Sequence, residues 1–172
     1  KEHKDYQKRV ENIDWVGHHG FYPFIHFSMN FNKYTKDSTG SKHIKHKERD
    51  IYYSAHIDRY IYEFYGNRLN NKYNDYLKKY GINRVSTAYR NCTPGKCNIH
   101  FAKEVFEFIV SCESAYIFVG DFSKFFDKLQ HKYLKDKLKA VIGVESLDVA
   151  DYAIFKNLTK FSYIEATDIE KE

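Results

Sequence analysis

Apolar side chains at Ile57, Tyr60, Ile61, Phe64, Tyr65 and Leu69 follow the i, i+3, i+4, i+7 spacing of one helix face. They predict an amphipathic helix that starts near Ser54, whose hydroxyl suits an N-cap. A second, shorter helix is expected over 70–83, with its loop ending at Gly81. Ile99, Ala102, Phe106, Ile109 and Val110 mark another helix face. Phe125, Phe126, Leu129, Tyr133 and Leu138 mark a third, and residues 149–158 a fourth. The best strand pattern is the unbroken apolar run Ala115 to Val119. A short strand is also expected over 85–89, then a turn over 91–95 at Pro94 and Gly95.

The N-terminal third is harder to read. The charged stretch 1–13 suits a helix. Residues 17–27 mix glycines, a proline and aromatics, as in an ordered loop that leads into a short strand. Residues 32–47 are polar around Ser38, Thr39, Gly40 and Ser41, which suits an exposed loop or hairpin tip. The expected class is α+β, dominated by helices, with no internal repeat and no linker.

Bulk properties narrow the picture only a little. A chain of 172 residues fits one domain or one and a half. Aromatic content is high, at 18%, with 16 Tyr and 14 Phe. Tyrosine suits half-wet surfaces and stacking platforms, and an AT-rich coding sequence produces the same excess. The nine tyrosines from Tyr52 to Tyr89 are interleaved with Lys and Arg, a mixture that can stack bases and track phosphates. For Tyr60 and Tyr65, core packing is the expected role. The net charge of +5 and pI of 8.9 permit a polyanionic partner without requiring one.

Cys92, Cys97 and Cys112 are an odd set. The first residues lack the apolar core of a signal segment, and no run approaches the ~18 apolar residues of a membrane span. A reducing cytoplasm, free thiols and no membrane contact are therefore expected. Cys92 and Cys97 have the spacing of half a zinc site, but no second pair stands at ligand spacing.

The candidate chemistry starts at Asp121. A carboxylate at the tip of a buried strand is held rigidly with its oxygens free for a hard cation such as Mg²⁺. On chemistry alone, a helix cap is the other reading. From Asp121 to Leu134 the order is Asp, Phe125, Phe126, Asp127, Leu129, His131, Leu134. These 14 positions resemble the first catalytic motif of bacterial reverse transcriptases of the retroelement, retron-like or defence-associated kind, with Leu129 in place of the usual Ile. The resemblance implies an RNA-directed DNA polymerase that uses two-metal nucleotidyl transfer. Asp121 would be the catalytic metal ligand for Mg²⁺ (or Mn²⁺). Phe126 would be the steric gate against a 2′-hydroxyl, with Phe122 beside it in the nucleotide pocket. Asp127 would cap or orient the next helix.

Residues 47–61 resemble the fingers motif of the same family, a basic residue, a short apolar strand, then Asp58 and Arg59 opening a helix. The resemblance assigns Arg49 and Lys47 to the triphosphate of the incoming dNTP, which needs charge-assisted donors. Lys42 and Lys45 would contact nucleic acid from the same loop. A solvated basic loop is the bland alternative. Arg59 either contacts nucleic acid or pairs with Asp58 or another carboxylate. Tyr89 and Arg90 loosely resemble the next motif, which usually carries Gly-Phe between the two. Arg90 either supports template binding or ties subdomains together.

The resemblance implies a helix-rich fingers region over 1–112 and, over 113–172, the first strand and helix of a palm. Its partners would be an RNA template, a DNA or RNA primer, a dNTP, and the remainder of the palm and thumb. The chain contains no Asp-Asp pair, and Gln7 and Gln130 are its only glutamines, so the later Tyr-x-Asp-Asp and Gln-Gly motifs are missing. One carboxylate cannot hold two ions. The chain alone is therefore expected to be inactive, with a possible dimer through its exposed palm surface. A non-catalytic RNA-binding fingers module is the alternative, and a plain interaction domain is the third.

Overall fold

The computed structural model describes residues 2–92, 95–123 and 125–169, with the side chains of 2–5 and 127 outside that description. In chain order the elements are α1 (Glu2–Glu11), α2 (Ile13–Gly17), β1 (Phe24–Lys36), β2 (Lys42–Tyr53), α3 (His56–Lys79), α4 (Asn98–Val110), a 3-10 turn (Phe126–Lys128), α5 (His131–Ile142), α6 (Val149–Thr159), β3 (Tyr163–Glu165) and α7 (Ala166–Ile169). The class is α+β, with a three-stranded mixed sheet in the order β2-β1-β3. β1 and β2 form an antiparallel hairpin, and β3 adds to β1 in parallel.

The chain divides into two compact units, residues 1–64 with 147–172, and residues 65–146. In the first, α2 packs on α6. Local capping starts both helices. Asn12 accepts the Trp15 amide at 2.9 Å, and Asp148 accepts the Asp151 amide at 2.7 Å. Val10, Val16, Ile61, Ala150 and Ile154 are buried there. A Cβ added to Gly17 would lie 2.7 Å from Val149 Cγ2 and 2.9 Å from its Cβ, so α2 and α6 meet where only glycine fits. Gly17→Ala should therefore destabilise this unit by about 1–3 kcal/mol, read from the urea midpoint at unchanged slope. A wild-type midpoint would show that the helices part freely.

The hairpin tip is closed by Asp37, which accepts from Thr39 Oγ1 at 2.6 Å, the Thr39 amide at 2.9 Å, the Ser41 amide at 3.0 Å and His43 Nε2 at 2.6 Å. The Thr39 hydroxyl first, then His43, hold its carboxyl down at about 2. On the face of the sheet that carries His26, aromatic rings run continuously. Phe24 contacts Tyr62 and Phe161, Phe161 contacts Tyr52, and Tyr52 contacts Tyr163 and His26. Part of the aromatic excess is thus packing.

Several expected elements differ. The two helices expected over 54–83 are one, α3, because no glycine or proline interrupts residues 70–79. It begins at His56, where the Ala55 carbonyl accepts the Arg59 amide, rather than at Ser54. Residues 85–89 form turns, not a strand. The short strand expected near 24–27 extends to Lys36. Tyr65 is buried, while Tyr60 is 45% exposed at the flank of the apolar face.

The largest correction concerns Ala115 to Val119. The run forms no strand, and Phe118 and Val119 are about nine-tenths exposed. A strand requires a neighbour for its backbone bonds, and the sheet contains no partner for this segment. α4 forms as its periodicity predicts, but Ile99, Phe106 and Val110 on its apolar face are exposed. The expected turn residue Pro94 lies outside the described residues.

Candidate nucleic-acid interface

The hairpin register sorts the basic residues. Partners opposite each other in an antiparallel pair share a face, and alternate residues point to opposite faces. Arg49 pairs with Met29, Lys47 with Phe31, Lys45 with Lys33, and His43 with Thr35. One face of the paired strands therefore carries Lys33, Lys45, Lys47 and Arg49 with Met29 and Phe31 and no Asp or Glu, while His43 at its tip end is held by Asp37 of the turn. The other face carries Glu48 and Asp50, and Glu165 joins Asp50 around His26.

Arg49 is exposed, and its guanidinium lies 5.1 Å from the Phe31 ring centroid. Stacking on that ring orients the fork while leaving its edge open to an anion. Charge segregation of this kind gives a positive surface beside an apolar shelf, suited to phosphate and base contacts. Lys42, by contrast, pairs with Lys36 on the acidic face. The register thus brings Arg49, Lys47 and Lys45 together and leaves Lys42 apart.

Arg59 is exposed in the first turn of α3. Its expected pair with Asp58 does not form. Asp58 is fully buried, with one oxygen 2.7 Å from His19 Nε2 and the other accepting the Tyr22 amide at 2.9 Å. The pairing of Asp58 with His19 has no signature in the sequence, because 39 positions separate them and no local pattern links them.

Arg90 belongs to the 65–146 unit. Its Nε donates to Asn74 Oδ1 at 2.8 Å, Nη1 to the carbonyls of Asn83 and Ser86 at 2.6 and 3.0 Å, and Nη2 to Asn83 Oδ1 and Cys92 Sγ. All five N–H groups are engaged by residues 74–92 of the same unit, so these bonds brace the unit itself and join no second subdomain. The neighbouring Tyr89 has a φ of 57° and is 91% exposed, a costly backbone for a bulky residue. Asn70 holds its carbonyl at 2.6 Å.

Asp121 is exposed in the same unit and follows the unpaired run. Phe122, Phe125 and Phe126 form a small cluster after it, with ring centroids 6.0 Å and 5.4 Å apart in sequence order. Phe122 and Phe126 are 80% and 77% exposed. The side chain of Asp127 lies outside the described residues. Among the described residues no group of three or more His, Cys, Asp or Glu is placed to hold a metal ion. A lone exposed carboxylate does not fit a two-ion centre for Mg²⁺ or Mn²⁺. Cys92, Cys97 and Cys112 are free thiols, and no helix among the described residues is long and apolar enough to cross a membrane.

His26 ties the three strands together. Its Nδ1 lies 2.9 Å from Glu165 Oε2 and its Nε2 3.3 Å from Asp50 Oδ1, with the Tyr52 and Tyr163 rings alongside. The bond to Glu165 chiefly raises the imidazole above its ordinary value, Asp50 adds to the rise, and burial opposes it. A raised folded value means that the stabilisation is complete below the unfolded value of about 6.5 and is lost as pH rises through the folded one. The thermal midpoint of the wild type should therefore fall as pH rises above about 6.5, and His26→Gln should flatten that slope. An equal slope in the variant would place the titration elsewhere.

The chain matches no known protein-family model, and no curated protein sequence matches it.

Proposed function

We propose that this chain is the fingers region and first palm segment of a bacterial RNA-directed DNA polymerase, of a retroelement or an antiviral defence system. The structural observation that supports it best is the cationic face of the hairpin, on which Arg49, Lys47 and Lys45 stand beside Phe31 with no Asp or Glu among the strand residues that pair with them. The 14-position pattern from Asp121 to Leu134 supports the same reading. In this account Arg49 and Lys47 meet the triphosphate when a dNTP is bound and RNA phosphates when none is, Lys45 meets the template or primer backbone, and Phe126 lies against the nucleotide sugar. Asp121 is one metal ligand among several, the others being carried by the remainder of the palm. That remainder would also pair the 115–119 segment and cover its apolar side chains, which a solvated surface leaves exposed at a cost.

Residues 1–172 with Mg²⁺ and a primed RNA template should not extend the primer. In the protein that joins this segment to a full palm, Asp121→Asn should abolish extension while RNA binding survives. Extension by residues 1–172, or full activity of the Asp121→Asn protein, would overturn the reading.

A non-catalytic RNA-binding module is the second reading. The cationic face is complete within the described residues, whereas the metal centre is not. Under that reading no extended form of the protein polymerises at all.

A further inference from the structure

In the 1–64/147–172 unit, α2, the segment after it and α6 enclose a cleft of about 410 Å³, within the size range of small-ligand sites. Its charge is one-sided. Lys156, Lys160 and His19 line it, and no Asp or Glu does. Lys156 lies in the last turn of α6 and Lys160 is its C-cap residue, and both exposed lysines line the cleft. An anion seated there meets two cationic side chains from one short stretch of chain.

His19 is the third group, and it is not a free surface histidine. The buried Asp58 holds its Nε2 at 2.7 Å, and Trp15 stacks on the ring at 4.9 Å. Its Nδ1 makes no hydrogen bond among the described residues. Tyr152, half exposed, and Asn157 form the remaining polar wall, with the Asn157 amide donating to Tyr62 Oη. Gly17, where α2 meets Val149, also lines the cleft.

We propose that this cleft is a binding site for the phosphate group of a small phosphorylated ligand. Lys156 and Lys160 supply charge to the phosphate oxygens. His19, oriented by Asp58, supplies one ring nitrogen, which accepts from a P–OH or, when protonated, donates to P–O⁻. The site is separate in sequence from the hairpin residues and from Asp121, and it does not depend on the polymerase reading.

The test is an amide NMR titration of residues 1–172 with inorganic phosphate, ribose 5-phosphate and adenosine 5′-monophosphate. Saturable shifts confined to residues around 17–21 and 149–160 are expected. Affinity should fall at least about tenfold in Lys156→Gln and again in Lys156→Gln/Lys160→Gln. Both variants change exposed side chains and should keep the wild-type melting point, while Lys72→Gln, an exposed lysine of the 65–146 unit, should bind as the wild type does. Tighter binding of the nucleotide than of phosphate identifies a nucleotide site, and equal affinities identify a site for phosphate alone; either upholds the proposal. No saturable shift with any of the three ligands, or unchanged affinity in the double variant, overturns it.

Discussion

Asp58→Ala should cost the 1–64/147–172 unit about 3–5 kcal/mol, enough to unfold it in mild denaturant. The side chains of Asp58 and His19 are 1% and 11% exposed, so solvent screening does not blunt their interaction as it does at a surface pair. Removing the carboxylate strands His19 in a nearly dry site and leaves the Tyr22 amide without its acceptor. The two losses act on the entry to β1, because residues 18–23 connect α2 to the sheet. Asp58→Asn keeps an acceptor for the amide and should recover part of the loss. Urea denaturation of both variants checks this. An Asp58→Ala midpoint within about 0.5 kcal/mol of the wild type would mean that the pair carries no net stability.

Arg90→Ala should destabilise the 65–146 unit by about 2–4 kcal/mol. Arg90 is the hub of a polar network. Without it, Asn74 Oδ1 and the carbonyls of Asn83 and Ser86 lose donors, and Asn74 itself is 5% exposed. The fork bonds two turns of chain to α3 at once. Lysine offers one nitrogen on a flexible stem and cannot span these acceptors, so Arg90→Lys should lose nearly as much. The backbone of Tyr89 depends on the same network through Asn70, so hydrogen exchange across 83–91 should quicken in both variants. If Arg90→Lys stays fully stable and weakens RNA binding instead, the template-contact reading of Arg90 holds.

The contrast between Asp58 and Arg59 shows what sequence could reveal. Both sit in one dipeptide at the start of a helix, and adjacency suggests a pair. Burial separates them, through contacts with His19 and Tyr22 that lie 39 and 36 positions away. Helices α3, α4 and α6 were legible because a period near 3.6 is a local property. The hairpin was largely hidden. Beyond Phe27 both of its faces are mostly solvated, so Lys, Asn and His occupy both sets of alternate positions and erase the two-residue period.

The run Ala115 to Val119 errs in the opposite direction. Its local signal is strong, but membership of a sheet is settled by a partner elsewhere in the chain, and the described sheet has none for it. Of the candidate site, residue types were legible while grouping was not. Arg49, Lys47, Lys45 and Lys42 read as one basic stretch, and the register splits Lys42 from the other three.

That split gives the most direct test of the account. RNA binding by the chain, titrated with salt, should show a steep decline in affinity, with a slope that becomes shallower by about 0.7 for each single-strand phosphate contact removed. Arg49→Ala, Lys47→Ala and Lys45→Ala should each weaken binding and flatten the slope. Lys42→Ala, which removes the same charge from the opposite face, should leave both unchanged. Equal effects from all four variants would reduce the hairpin to a diffuse basic surface, and the absence of salt-dependent RNA binding would contradict the proposed interface outright.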